Sequence, residues 1–390
     1  MTSRLGLFFV VAAVTGLPAI SSQSAAVAHA PVVSIARLPA SGFQPQVSVD
    51  EGGTAHVVYF KGEPSAGDLY YATLSEGGAW STPIRVNSEP GSAIATGTVR
   101  GAQLAIGRNG RVHVSWNGSG RAIPKAQSGA LPMLYTRLDP KRQVFEPQRN
   151  LIQFATGLDG GGALAADVKG RVLVTWHAGG PESKGEGDRR VWLTTSTDDG
   201  STFDKERAVS DASTGACGCC GMDALINRRG VFYFLYRSAR EVFNRDTYLL
   251  RSTDSGRTFT SAKLQEWNLG ACPMSTFALA ETADGVVAAW ETAGQVQFSR
   301  ISADGAPGRR IEAPGSDRSR RHPSVAVNSR GDVLLAWSDG TAWQRGGAVA
   351  WQVFDGSDRP TVESGKAAGV PVWGLAAAHA RRDGGFTIIY

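Results

Sequence analysis

The chain has 390 residues, 42% of them hydrophobic, with 48 glycines, 10 tryptophans and a formal net charge of +5. That composition suits one large all-β domain punctuated by turns, and no heptads or long helical periods are visible outside the N-terminus. The basic residues are scattered apart from Arg318, Arg320 and Arg321; a nucleic-acid partner would need a basic stripe, so none is expected.

In chain order, Arg4 precedes an apolar run over residues 5–14, and a stretch of small residues ends at Ala28-His29-Ala30. This reads as a secretory leader with an Ala-x-Ala cleavage site. Residues 1–30 are expected to be removed, leaving 31–390 as one domain that is secreted or periplasmic. The apolar run is short for a transmembrane helix and no other span qualifies, so no membrane span is expected.

From residue 47 onward one pattern recurs: an apolar strand, a polar Gly turn, then a strand ending in an aromatic. The copies cover 47–59, 104–116, 164–176, 225–236, 279–290 and 325–337, with turns such as Glu51-Gly52-Gly53 and Arg108-Asn109-Gly110. Each copy precedes a second hairpin, which makes six four-stranded units of propeller-blade size. Residues 375–390 supply half a unit more, and residues 32–38 are placed to pair with it and close a ring. The expectation is a β-propeller with six full repeats and a partial closing blade, seven blades being favoured over six.

Two of the second hairpins turn through Ser196-Thr197-Asp198-Asp199-Gly200-Ser201-Thr202-Phe203 and Ser252-Thr253-Asp254-Ser255-Gly256-Arg257-Thr258-Phe259. Asp bonds backbone N–H groups ahead of it and Gly tolerates positive φ, so both read as tight hairpin ends. Following one blade up and down puts these turns and the Gly turns on one face, here called lower. The loops leading into the first strand and out of the second lie on the upper face. Lys61, Asn117, His177, Arg237, Glu291 and Asp339 leave the second strands there, and three long loops follow them, a pattern that points to a binding surface. His177, Arg237, Glu291, Asn117 and Asp339 are the candidate ligand-binding residues. Glu291, Asp223 and Arg237 are the candidate catalytic ones, the carboxyls to move protons and the arginine to hold an anion.

All four cysteines lead into first strands of adjacent units: Cys217, Cys219 and Cys220 into the fourth, Cys272 into the fifth. They are expected to converge at the upper mouth, with Met222 and Met274 beside them and His322 at the equivalent place in unit six. Two readings stay open. An even number of cysteines in an exported chain defaults to disulfides, with three connectivities. Thiolates with Met274 or His322 alongside also suit copper or zinc.

The pattern Ser-Thr-Asp-x-Gly-x-Thr-Phe is the Asp box, and with the repeat it resembles the sialidase superfamily over nearly all of the mature chain. More narrowly, Cys217-x-Cys-Cys220, Tyr236-Arg237-Ser238, Arg245-Asp246 and Cys272-Pro273, in that order, resemble bacterial exported proteins of the exo-α-sialidase-like or BNR-repeat group. The resemblance implies a sialidase-like propeller. A working sialidase of that kind holds its substrate carboxylate with three arginines and uses a Tyr assisted by a Glu as nucleophile and an Asp as acid/base. The first arginine belongs to an Arg-Ile-Pro motif on the first inner strand, where this chain reads Phe43-Gln44-Pro45; Arg37-Leu38-Pro39 matches by letters but precedes the strand. The expected functions, in order, are binding of a glycan or other ligand at the upper channel mouth, sialidase-like glycoside hydrolysis, and thiolate metal binding.

Overall fold

A computed structural model describes residues 32–127 and 129–390, with Met1, Thr2 and Gly6. The chain divides into Met1–Pro31 and Val32–Tyr390, and the second unit carries the fold. The expected leader lies, but for those three residues, outside the described part. Among the described residues no helix is long and apolar enough to cross a membrane.

The second unit is a ring of seven blades, six antiparallel and one mixed. Blades 1 to 6 cover residues 43–85, 103–150, 163–208, 223–265, 277–312 and 320–370, each with its first strand innermost. Blade 7 has three strands. Ala377–Ala380 pairs antiparallel with Phe386–Ile389, and Val33–Ala36 runs parallel along the outer side of the latter. Residues from the two ends of the domain thus share one sheet. The Leu38 N–H donates to the Tyr390 carbonyl, and the Arg37 guanidinium lies 4.0 Å from the centre of the Tyr390 ring.

The core lies between blades rather than within them. Trp116, Trp176, Trp290 and Trp337, each near the end of a second strand, are buried. Trp116 packs with Phe43, Val58 and Phe60 of blade 1, and Trp176 with Met133 and Tyr135 of blade 2.

The lower face is locked by its turns. In the first Asp box Asp198 accepts from the Thr202 N–H (2.9 Å), the Thr202 hydroxyl (2.7 Å) and the Ser196 hydroxyl (2.7 Å), while Ser196 Oγ accepts from the Gly200 N–H. Asp254 and Ser252 repeat this with Thr258 and Gly256. Asp199 (φ 63°) and Gly200 (φ 75°) are both left-handed, as the two central residues of a type I′ turn closed by Ser201 N–H to the Asp198 carbonyl demand. The scattered basic charge has a use here. At every junction from blade 2 round to blade 1 an arginine donates to a turn carbonyl of the next blade: Arg149 to Ser201, Arg207 to Gly256, Arg251 to Ala303, Arg300 to Gly331, Arg330 to Gly384 and Arg382 to Glu51.

Candidate functional site

Apart from Lys61, which is exposed, the residues that leave the second strands do not face open solvent. Asn117, His177, Arg237, Glu291 and Asp339 are all buried. Asn117 donates to the carbonyls of Asp159 and Gly160, on the loop into blade 3. His177 Nε2 is 2.7 Å from the Cys220 carbonyl, on the loop into blade 4, and burial holds its imidazole below the usual pKa. Arg237 donates to the carbonyls of Arg245 and Glu291 (2.7 Å each) and lies over Trp267 and Phe277. Glu291 accepts from the Gly294 N–H at 2.6 Å, and burial pushes its carboxyl above the ordinary range. Asp339 pairs with Lys366 at 2.5 Å and accepts from Ser319. The structure does not bring these five to one point; Asn117, His177 and Arg237 each bridge to the next blade around the ring.

Asp223 begins the inner strand of blade 4 and stands on the channel wall. Its oxygens accept from the N–H groups of Leu279 (2.6 Å) and Ala224 (2.9 Å). Burial pushes its carboxyl up to about 7, against the lowering effect of those two bonds. It lines both a cavity of about 110 Å³ in the upper channel and a funnel of about 880 Å³ that opens among the lower Gly turns.

Three of the cysteines meet and the fourth does not. Cys217 Sγ lies 3.3 Å from Cys219 Sγ and 3.8 Å from Cys220 Sγ, and all three side chains are buried. No two of the four sulphurs stand at bonding distance, so the structure holds no disulfide across the loop. Cys272 is exposed, which corrects the expected convergence of four. The reason is local: Met274 takes φ 50° after Pro273 and packs against the three cysteines itself, in place of Cys272. Met222 packs instead with Phe232, Phe234 and Tyr236 in the core between blades 3 and 4. The cysteine loop is held by its own backbone. Cys217 N–H donates to Arg237, Gly160 N–H to Gly218, Val99 N–H to Cys219, and Gly221 N–H to Ser275. Cys220 is held well below the usual thiol value. Burial opposes this, but hydrogen bonding with Cys217 and Cys219 and the Arg237 charge outweigh it. Cys219 is pushed up, first by its hydrogen bond with Cys217.

A cleft absent from the sequence-based list opens on the same face, with a volume of about 100 Å³. Loops of blades 1, 2, 5, 6 and 7 build it. Trp343, 56% exposed, meets Trp373 edge to face with ring centres 4.8 Å apart. Arg321 and Arg345 stand in its wall. Arg321 makes one long bond, to the Pro273 carbonyl at 3.4 Å, and Arg345 donates to Gly340. Gln44, Met274, His322 and Trp373, all in the wall, are non-glycine residues in the left-handed region, at φ 53°, 50°, 52° and 65°. Each such residue costs on the order of 1–3 kcal/mol, and such strain clusters at ligand clamps. Gln44 Oε1, His322 Nδ1 and Thr341 Oγ1 are buried with no hydrogen-bond partner among the described residues. His322 is held near 3 by burial, so its ring is neutral. Gln44, Val99, His322 and Leu375 belong to the upper channel cavity too, so cleft and channel join.

No family model matches the chain, and no curated protein does. Solved structures do. A protein of unknown function from Dyadobacter fermentans matches with TM-score 0.52 and 16% identity, over 79% of this chain and 93% of that one. An α-L-arabinanase of Penicillium chrysogenum, complexed with arabinobiose, matches with 0.53 and 13%, over 83% and 95%. A Hadza microbial sialidase matches with 0.50 and 16%, over 81% and 70%. At these identities the likeness establishes the sialidase-like propeller fold.

Proposed function

We propose that this propeller binds a glycan in the upper cleft, with Trp343 as the stacking surface and Arg321 and Arg345 as anchors for an acidic group. The observation that carries the reading is the convergence of two tryptophans, two arginines and three unpartnered buried polar atoms in one strained wall. Ligand sites combine an apolar surface with a few convergent polar groups, and unpaired buried polar atoms are costly unless a ligand or water satisfies them. Structural neighbours that include a sialidase and an arabinanase with bound arabinobiose are consistent with a glycan. Asn117 and His177 then serve the site at one remove, by fixing the loops into blades 3 and 4 that hydrogen-bond to Val99 of the cleft wall, and Arg237 ties that region to blade 5. Asp339 and Glu291 are not among the residues of its wall, and Asp223 lies in the channel. We place the protein outside the cytoplasm, on the strength of the leader read from its sequence.

The test is a panel of immobilised neutral and acidic oligosaccharides, followed by aryl-glycoside turnover with any that bind. Binding that prefers acidic glycans supports the reading, and no binding to any member overturns it. Turnover that depends on Asp223 or Glu291 would move the protein from a binding module to a glycoside hydrolase.

A second reading concerns the cysteines. Three buried sulphurs all within 4.8 Å of one another form a donor set for a soft metal such as copper or zinc.

A further inference from the structure

We infer that Cys217, Cys219 and Cys220 take up one copper(I) ion as a three-coordinate thiolate, reached from the cleft past Met274. This rests on the metal reading above and names its ion. Metal–thiolate bonds of about 2.3 Å put three sulphurs about 4.0 Å apart around a trigonal ion. The observed 3.3 and 3.8 Å need only a small opening of one pair. Zinc asks for four ligands in a closed site. Among the described residues no histidine or carboxylate joins the trio. His177 Nε2 is engaged by the Cys220 carbonyl, the imidazole does not join the three sulphurs, and Cys272 is exposed. A soft ion content with three thiolates fits the set as it stands.

Charge points the same way. On uptake every sulphur that still carries a proton loses it as three copper–sulphur bonds form. The protons leave to water and copper keeps its oxidation state. The product carries two negative charges, and buried charge must be paired. Two buried guanidiniums face the trio, Arg237 acting on Cys220 and Arg245 on Cys217 and Cys219. Arg237 Nε and Arg245 Nη1 are buried without hydrogen-bond partners among the described residues. Arg245 shares part of its charge with Glu186 at 2.9 Å. Arg237 has no carboxylate within ion-pair distance among the described residues, and its fixed charge awaits a counterpart. Met274 supplies the route, since it lines the cleft and also packs on the cysteines. Its thioether is a soft donor on the way in.

The test is titration of the reduced, leaderless chain with copper(I) buffered by a bathocuproine chelator, with zinc in parallel. One copper per chain should be retained, with thiolate-to-copper absorption in the ultraviolet and three sulphur neighbours by X-ray absorption. Cys272→Ser should leave this unchanged and Cys219→Ser should abolish it. Met274→Leu, which preserves packing volume, should weaken uptake by about 10-fold, the scale of supporting-shell changes. If zinc is retained while copper is surrendered to the chelator, copper is the wrong ion and the metal reading survives. If neither ion is retained, both fall. Both also fall if the unreduced protein, purified from its host, carries a disulfide among the three cysteines, seen as a mass two hydrogens lower.

Discussion

Gln44 and His322 occupy the same place in blades 1 and 6. Each is left-handed, at φ 53° and 52°, each precedes a proline at a register shift of the inner strand, and each holds a buried polar atom with no partner. Two distant segments have thus met the same strain in the wall of one cleft. Backbone of this kind persists where the surrounding structure over-determines it, and it concentrates at ligand clamps.

Arg321 is the residue in that wall best placed to select charge. Replacing it by Gln should weaken binding of carboxylated glycans by at least about 10-fold, the worth of one charge-assisted hydrogen bond. Neutral glycans should bind as before. Parallel titrations of a matched acidic and neutral pair check this, and equal losses for both would count against a charge-reading role.

The lower face should respond to acid through its Asp boxes. Asp198 is held at about 2: burial opposes this, and bonds from Thr202 and Ser196 outweigh it. Because its folded value lies below the ordinary 3.8, its contribution is complete above about pH 4 and is lost as pH falls towards 2. Asp198→Ala should therefore cost about 1–3 kcal/mol at neutral pH, the scale of hydrogen bonds made to a charged group. The gap from wild type should close between pH 4 and 2 in denaturant unfolding. A gap independent of pH would contradict the assignment.

Asp223 works in the opposite sense. Burial raises its carboxyl to about 7, so the folded protein keeps the proton that the unfolded chain loses near 4. Its contribution to stability should fall as pH rises from 4 to 7 and level off above. Carboxyl carbon NMR on an Asp-labelled sample should show one resonance titrating near 7, absent from Asp223→Asn. Titration of that resonance near 4 would show that the channel wall is wetter than its geometry implies.

Thiol access separates the cysteines. Cys217, Cys219 and Cys220 are 1–2% exposed, whereas Cys272 is open to solvent. Brief alkylation of the reduced, folded, metal-free protein should add one group, at Cys272, and denaturation should release the other three. Rapid alkylation at Cys219 in the folded protein would contradict the packed loop.

The architecture was legible because each blade announces itself locally. A Gly turn or Asp box is written in consecutive residues, and a strand ending in Trp176 or Trp290 states its own burial. Blade 7 was legible as a half unit needing a partner, and residues 33–36 supply it, as a parallel third strand. The site was much less legible. Polarity at a strand end marks Asn117, His177 and Arg237, yet their partners are backbone carbonyls of the next blade, which no side-chain pattern records. Cys272 shared a blade position with the other cysteines, and one left-handed residue, Met274, separated it from them. The cleft draws on five blades, and only closure of the ring brings Gln44 and Val99 to Trp343 and Trp373. Its one sequence signal was the recurrence of Gln44-Pro45 and His322-Pro323 at the same blade position.

The most direct measurement is calorimetric titration of the tightest-binding glycan into wild type and Trp343→Ala. Trp343 is more than half exposed, so its loss should leave stability within about 0.5 kcal/mol, as surface substitutions do. Affinity should fall by about 10-fold or more, the scale of one aromatic stacking contact. Unchanged affinity in a stably folded Trp343→Ala protein would mean that the upper cleft is not where this propeller holds its ligand.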